Sequence, residues 1–210
     1  MNKLKSQLQG IHLIVNEHNW SKKIHCDIKN CIELGVKVFQ FRFSKSFLLK
    51  VDKTKLQDSL ILIRNVDGIS LVNNHWELVN RFGFDGTHIG QSDGDPYLIK
   101  SILKDKIVGV SCYGYLGLAL RAKDAYCDYV SFGAFAKSQT KSNASILSSE
   151  QFQKITSFRE LPTALVGGIN SNNLTTKIAS NFDMIAISDG ILGAQDVGKA
   201  VQDIHRIINR

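Results

Sequence analysis

Eight short apolar runs, set apart by longer stretches of mixed character, govern what this chain can fold into. They occupy positions 12–15, 36–41, 69–72, 86–89, 107–110, 129–132, 163–166 and 184–187. All are rich in Val, Ile and Phe, the composition of strands buried on both faces. Helices are predicted between them at 24–34, 54–64, 76–82, 97–103, 116–125, 148–156, 171–180 and 196–208. Ile24, Ile28, Cys31 and Leu34 fall on one helical stripe, and so do Leu56, Leu60 and Ile63. Pro96 suits a first helical turn. Ser148-Ser149-Glu150-Gln151 has the spacing of a capping box. The strand-to-strand interval is about 20–30 residues, the length of a βα unit. Eight such units in 210 residues predict an α/β fold, a closed (βα)8 or TIM barrel, as one domain over 1–210. An open doubly wound sheet is the alternative, but the G-x-G-x-x-G turn that would support it is missing.

Charge narrows the partners. Lys and Arg number 26 against 19 Asp and Glu, a net charge of +7, which favours anionic ligands. There is no dense Lys/Arg block interleaved with aromatics, so nucleic acid is not expected. Small phosphorylated molecules fit the sparse pattern better. Cys26, Cys31, Cys112 and Cys127 form no CxxC pair, and reduced thiols in a cytoplasmic protein are the expectation. No apolar run is long enough for a signal peptide or a membrane span. The oligomeric state stays open, a homo-oligomer included.

In a βα barrel, chemistry gathers beyond the carboxyl ends of the strands. Those ends carry Gln40 and Arg42, Asn73 and Asn74, the stretch from His88 through Gln91 and Ser92 to Asp93, Ser111, the loop from Lys137 to Lys141, Gly167-Gly168, and Ser188 with Asp189. Arg42 offers paired donors for a diphosphate. Asp93 and the Asn74 amide offer hard oxygen ligands for Mg²⁺. Gly167-Gly168 is either a tight turn or a place where backbone N–H groups meet a phosphate. Ser138, Thr140 and Lys141 form either a solvated loop or a phosphate lid. A hydrogen-bonded interior histidine is the favoured reading of His88. Cys112 reads as a small packing residue rather than a nucleophile.

Several strings carry a resemblance. Val38-Phe-Gln-Phe-Arg42, Leu71-Val-Asn-Asn74, Phe84-Asp-Gly-Thr-His-Ile-Gly-Gln-Ser-Asp93, Gly109-Val-Ser111, Cys127-Asp-Tyr-Val-Ser-Phe-Gly133, Ser138-Gln-Thr-Lys141 and Val166-Gly-Gly-Ile169 occur in order over about residues 35–196. Together they resemble the thiamine-phosphate synthase family. The resemblance implies a Mg²⁺-dependent barrel enzyme that joins hydroxymethylpyrimidine diphosphate to a thiazole phosphate and releases diphosphate. Gln40, Arg42 and Asn73 would meet the pyrimidine diphosphate, and Ser111 and Lys141 its diphosphate. Asp93 and Asn74 would ligate Mg²⁺. Ser138, Thr140, Gly168 and Ser188 would hold the thiazole phosphate. The catalytic burden would fall on Arg42, Lys141 and Ser111. Four positions depart from the family pattern: Ser44 stands for a Lys, with Lys45 beside it, Asn74 for an Asp, Tyr113 for a His, and Asp189 for a Ser or similar residue. These leave two alternatives to the synthase, a thiazole phosphate tautomerase and a non-catalytic phosphate-binding relative.

Overall fold

The computed structural model describes residues 6–137 and 145–209. Eight parallel strands run in chain order: β1 (Gly10–Asn16), β2 (Val38–Arg42), β3 (Ile69–Asn73), β4 (Gly86–Ile89), β5 (Ile107–Ser111), β6 (Tyr129–Phe132), β7 (Thr163–Val166) and β8 (Met184–Ile187). β8 returns to pair with β1, Leu13 opposite Ile187, and the barrel closes. Each predicted run is a strand. The helices between them are α1 (Ile24–Glu33), α2 (Lys45–Lys50), α3 (Lys53–Arg64), α4 (Val79–Phe82), α5 (Pro96–Leu103), α6 (Leu116–Asp124), α7 (Ser149–Ile155), α8 (Thr176–Ala179), α9 (Asp189–Leu192) and α10 (Val197–Ile208). Among the described residues no helix is long and apolar enough to cross a membrane.

Strand alternation sorts side chains between two cores. Phe39 and Phe41 of β2 point outward into the layer shared with the helices. Val38 of the same strand joins Leu8, Ile69, Leu71, Ile107, Tyr129, Ala164 and Met184 in a second cluster inside the barrel. Polar side chains share the buried interior: His12 stands opposite Val38, Gln40 opposite Leu71, and His88 and Ser131 are buried with them. Gly109 faces inward there and gives up its side-chain space to the Tyr129 ring; a Cβ at Gly109 would lie 2.1 Å from two ring carbons.

The amino ends of three strands are clamped alike. Asp85, Asp128 and Asp183, each just before an even-numbered strand, accept the backbone N–H of the preceding strand's Ser70 (3.0 Å), Val108 (2.8 Å) and Thr163 (2.7 Å). Asp128 is completed by Lys100 of α5 at 2.7 Å, a pair with little exposure. The Asp of the Phe84-Asp and Cys127-Asp strings is therefore scaffold, at the end opposite the mouth.

Helix ends follow local chemistry. The predicted capping box holds: Ser148 Oγ accepts from Gln151 N, and Gln151 Oε1 accepts from Ser148 N. The predicted helix 171–180 shrinks to α8. Asn170 and Asn173 use their side-chain oxygens on nearby backbone N–H groups, and Asn173 Nδ2 also donates to Gly168 O, which favours turns over helix. The predicted segment 76–82 divides into a 3₁₀ turn (Trp76–Leu78) and α4. Two helices were not foreseen, α2 and α9.

Candidate active site at the carboxyl mouth of the barrel

The tips of six consecutive strands carry an arc of polar groups. Gln40 is buried, and its Nε2 donates to Asn73 Oδ1 at 2.6 Å. Asn73 Nδ2 in turn donates to Asn74 Oδ1 at 2.7 Å. Asn74 holds a left-handed backbone (φ 67°), a conformation Asn tolerates better than most residues, and its N–H donates to His88 O. β2 and β3 thus present a connected amide ladder to the mouth. Asp93, in the loop after β4, accepts the Gly90 N–H on Oδ2 at 2.6 Å, and Trp76 Nε1 donates to its carbonyl. Asp93 Oδ1 has no donor among the described residues. Ser111 closes β5, and its carbonyl accepts from Gln91 at 2.6 Å.

Arg42 stands half-buried at the tip of β2. Burial lowers its guanidinium from the usual value, and the Asp189 carboxylate partly restores it. Among the described residues no group accepts a hydrogen bond from Arg42's side chain. A partly desolvated cation with unused forked donors has the chemistry of an oxyanion site.

β8 and β1 add groups that the sequence reading did not single out. Asn16, buried at the tip of β1, donates through Nδ2 to Ser188 Oγ at 3.0 Å and to Asp189 Oδ1 at 3.4 Å. Ser188 Oγ donates to Asn19 Oδ1 at 3.3 Å. These contacts span about 170 positions of chain, as |i−j| of 172 for the Asn16–Ser188 bond shows. The signal in the sequence is the polar pair Asn16-Glu17 that ends the first apolar run.

Below the mouth, His88 is buried and hydrogen-bonded on both sides, Nδ1 to Tyr129 OH at 2.8 Å and Nε2 to Ser131 Oγ at 3.2 Å. Burial pushes the Tyr129 hydroxyl well above its usual pKa, so it stays protonated. His12 is also buried, and burial lowers its pKa to about 4. Neither of its ring nitrogens has a hydrogen bond of normal geometry, although the Gln40 side chain lies close enough to favour its protonated form. Burial raises the Cys112 thiol to about 12, so it is an inert packing group.

The glycine pair after β7 packs against the loop after β6. Gly167 and Gly168 both adopt positive φ, 109° and 61°. A Cβ on Gly168 would lie 2.2 Å from Lys137 O, so the loop after β6 packs directly on it. The Gly168 amide nevertheless has no acceptor among the described residues. Ser138, Thr140 and Lys141 lie outside the described residues.

The departures can now be placed. Ser44 caps α2, its Oγ accepting from Phe47 N, while Glu17 accepts the Ser44 N–H and is held below the usual carboxylate range by it. Lys45 starts α2 and pairs with Glu77 at 2.9 Å on exposed surface. It is engaged there rather than beside Arg42. Tyr113 is half exposed at φ 50°.

Residues 11–191 match the profile of the thiamine monophosphate synthase family. The chain belongs to that family. The thiamine-phosphate synthase of Nitrosospira multiformis is 32% identical over 196 residues, covering 92% of this chain and 82% of its own length. That of Fusobacterium nucleatum is 30% identical over 207 residues, with 95% and 97% covered. The solved thiamine phosphate pyrophosphorylase of Pyrococcus furiosus shares the fold, with a TM-score of 0.80 at 23% identity over 98% of each chain. A 3-hexulose-6-phosphate synthase from Salmonella typhimurium shares it too, with a TM-score of 0.68 at 17% identity over 96% of this chain and 98% of its own. Family membership places the chain among alkyl-group transferases of thiamine biosynthesis.

Proposed function

We propose that the protein is a working thiamine-phosphate synthase. It would condense hydroxymethylpyrimidine diphosphate with the thiazole phosphate to give thiamine phosphate and diphosphate. The observation that carries this reading is Arg42, half-buried with unused donors on the same rim as Asp93 and Ser111.

The chemistry is a dissociative substitution. The C–O bond to diphosphate breaks, the electron pair leaves with diphosphate, and the methylene carbon becomes a pyrimidine-stabilised cation. The thiazole nitrogen then donates its lone pair to form the C–N bond. Such a reaction needs charge stabilisation, placement and exclusion of water more than covalent help. Arg42 and the Ser111 hydroxyl would take the leaving oxygens, with Lys141. Gln40 and Asn73 would orient the pyrimidine by hydrogen bonds from a ladder that is already ordered. Gly168 and Ser188, with Ser138 and Thr140, would hold the thiazole phosphate.

Mg²⁺ takes one or two carboxylates and completes its shell with water and substrate phosphates. The residues fit that demand: Asp93 keeps one oxygen open, Asn74 adds a partly engaged amide oxygen, and the described residues hold no cluster of three acidic, His or Cys ligands. When bound, the ion would neutralise charge on the diphosphate.

A direct product assay over a range of Mg²⁺ tests the proposal. Formation of thiamine phosphate from the two substrates is the expected result, and Asn74→Asp should lower the half-saturating Mg²⁺. Tautomerisation of the thiazole phosphate without the pyrimidine substrate, or ligand binding with no turnover, would replace the synthase reading with one of its alternatives.

A further inference from the structure

One acidic side chain stands in the mouth that the proposed chemistry does not use. Asp189 is exposed immediately beyond β8. β8, β1 and β2 are consecutive strands of the barrel. Asn16 on the middle strand is the link: it stands in register with Arg42, and its amide reaches both Ser188 and Asp189. The opposite charge whose field acts on the Arg42 guanidinium is Asp189. No hydrogen bond occupies the guanidinium fork among the described residues, so Asp189 offsets its charge without filling it.

We propose that Asp189 is the resident counter-ion of Arg42, a residue that weakens the mouth's hold on inorganic diphosphate. The inference rests on the assignment of Arg42 to the diphosphate site made above. A polyanion that binds beside Arg42 must share the guanidinium's field with a fixed carboxylate. Both diphosphates lose affinity by this sharing. The pyrimidine diphosphate keeps its heterocycle contacts to Gln40 and Asn73, whereas inorganic diphosphate has no such contacts. Asp189 thereby favours release of the product while the substrate is still held.

The test is calorimetric binding of inorganic diphosphate, with Mg²⁺ present, to the wild type, Asp189→Asn, Asp189→Ser, Arg42→Ala and the Arg42→Ala/Asp189→Asn double variant. Removing the carboxylate should tighten diphosphate about five-fold, the scale of an exposed charge interaction. Arg42→Ala should weaken it, and Asp189→Asn in that background should change it less than about two-fold. Unchanged or weaker binding to both Asp189 variants, while Arg42→Ala still weakens it, overturns this inference alone. An equal gain in the Arg42→Ala background also overturns it, because the effect would then be general repulsion. If Arg42→Ala binds diphosphate as the wild type does, or if no variant binds it, the assignment of Arg42 fails and the inference falls with it.

Discussion

Gly109→Ala should destabilise the barrel by roughly 4 kcal/mol, through a contact that has nothing to do with backbone freedom. The added Cβ would lie 2.1 Å from Cε1 and Cζ of Tyr129 and 2.6 Å from its hydroxyl. Carbon atoms rest at about 3.5–4.0 Å, so the ring must retreat by more than about 1 Å. It has nowhere to go: Tyr129 is fully buried inside the barrel. Its hydroxyl is also fixed to His88 Nδ1 at 2.8 Å. Overpacking costs about 1–3 kcal/mol, and a buried polar group stripped of its partner about 1–3 more. Urea denaturation followed by circular dichroism measures the sum. Tyr129→Leu is the control, since it removes most of the ring. In that background Gly109→Ala should cost less than about 1 kcal/mol, a coupling of roughly 2 kcal/mol or more between neighbours. A loss below about 1 kcal/mol in the wild-type background, or the same loss in both, refutes the reasoning.

Three further outcomes are expected. Arg42→Ala should lower kcat/KM for the pyrimidine diphosphate by about a hundred- to a thousandfold, and Arg42→Lys by about tenfold, because the charge survives but the fork does not; steady-state kinetics decide, and an unchanged Arg42→Lys would mean that no paired contact is made. Lys100→Met leaves the Asp128 carboxylate, whose side chain has no exposure, without its paired cation, and should cost about 3 kcal/mol, a fall of roughly 6–12 °C in Tm, with kcat/KM unaltered. Acid should expose His12: its folded pKa of about 4 lies below the usual 6.5, so the folded state resists the proton that the unfolded chain accepts. Its contribution is therefore complete above pH 6.5 and shrinks as pH falls towards 4, by roughly 3 kcal/mol in all. Urea titrations at pH 7 and pH 4.5 should show His12→Phe losing less stability on acidification than the wild type, and equal losses would remove this account.

The strands were legible because each is a dense Val/Ile/Phe run, and β4, β6, β7 and β8 begin and end where the composition changes. What escaped notice depended on single hydrogen bonds. Residues 45–50, Lys-Ser-Phe-Leu-Leu-Lys, are too few for a helical stripe to show in the sequence, and it is Ser44 accepting from Phe47 N that starts α2. Residues 171–175, Ser-Asn-Asn-Leu-Thr, are mostly poor helix formers, and Asn170 and Asn173 turn their side chains onto local backbone, so the predicted helix starts late. At the site, Gln40, Arg42, Asn73, Asn74, Asp93, Ser111, Gly168 and Ser188 could be located because a strand end is a local feature. Asn16 and Asn19 could not, since their partner Ser188 sits at the far end of the chain. The setting of Asp189 was likewise invisible: a letter in the sequence carries no information about which cation it faces.

The two ends of the barrel do different work, and the same residue type shows it. At the amino ends, Asp85, Asp128 and Asp183 have their charges met by backbone N–H groups, hydroxyls and Lys100. Each of those carboxylates ties the amino end of one strand to its neighbour. At the carboxyl ends, Asp93 keeps an oxygen open, Arg42 keeps its donors open, and His12 sits just below with both nitrogens unpaired, all among the described residues. Polar groups left unmatched in or near a protein interior cost free energy. Arg42 and Asp93 stand on the rim of the mouth, and His12 lies among the inward-facing residues. The open donors of Arg42 and the open oxygen of Asp93 are groups that a bound anion and its counter-ion can use.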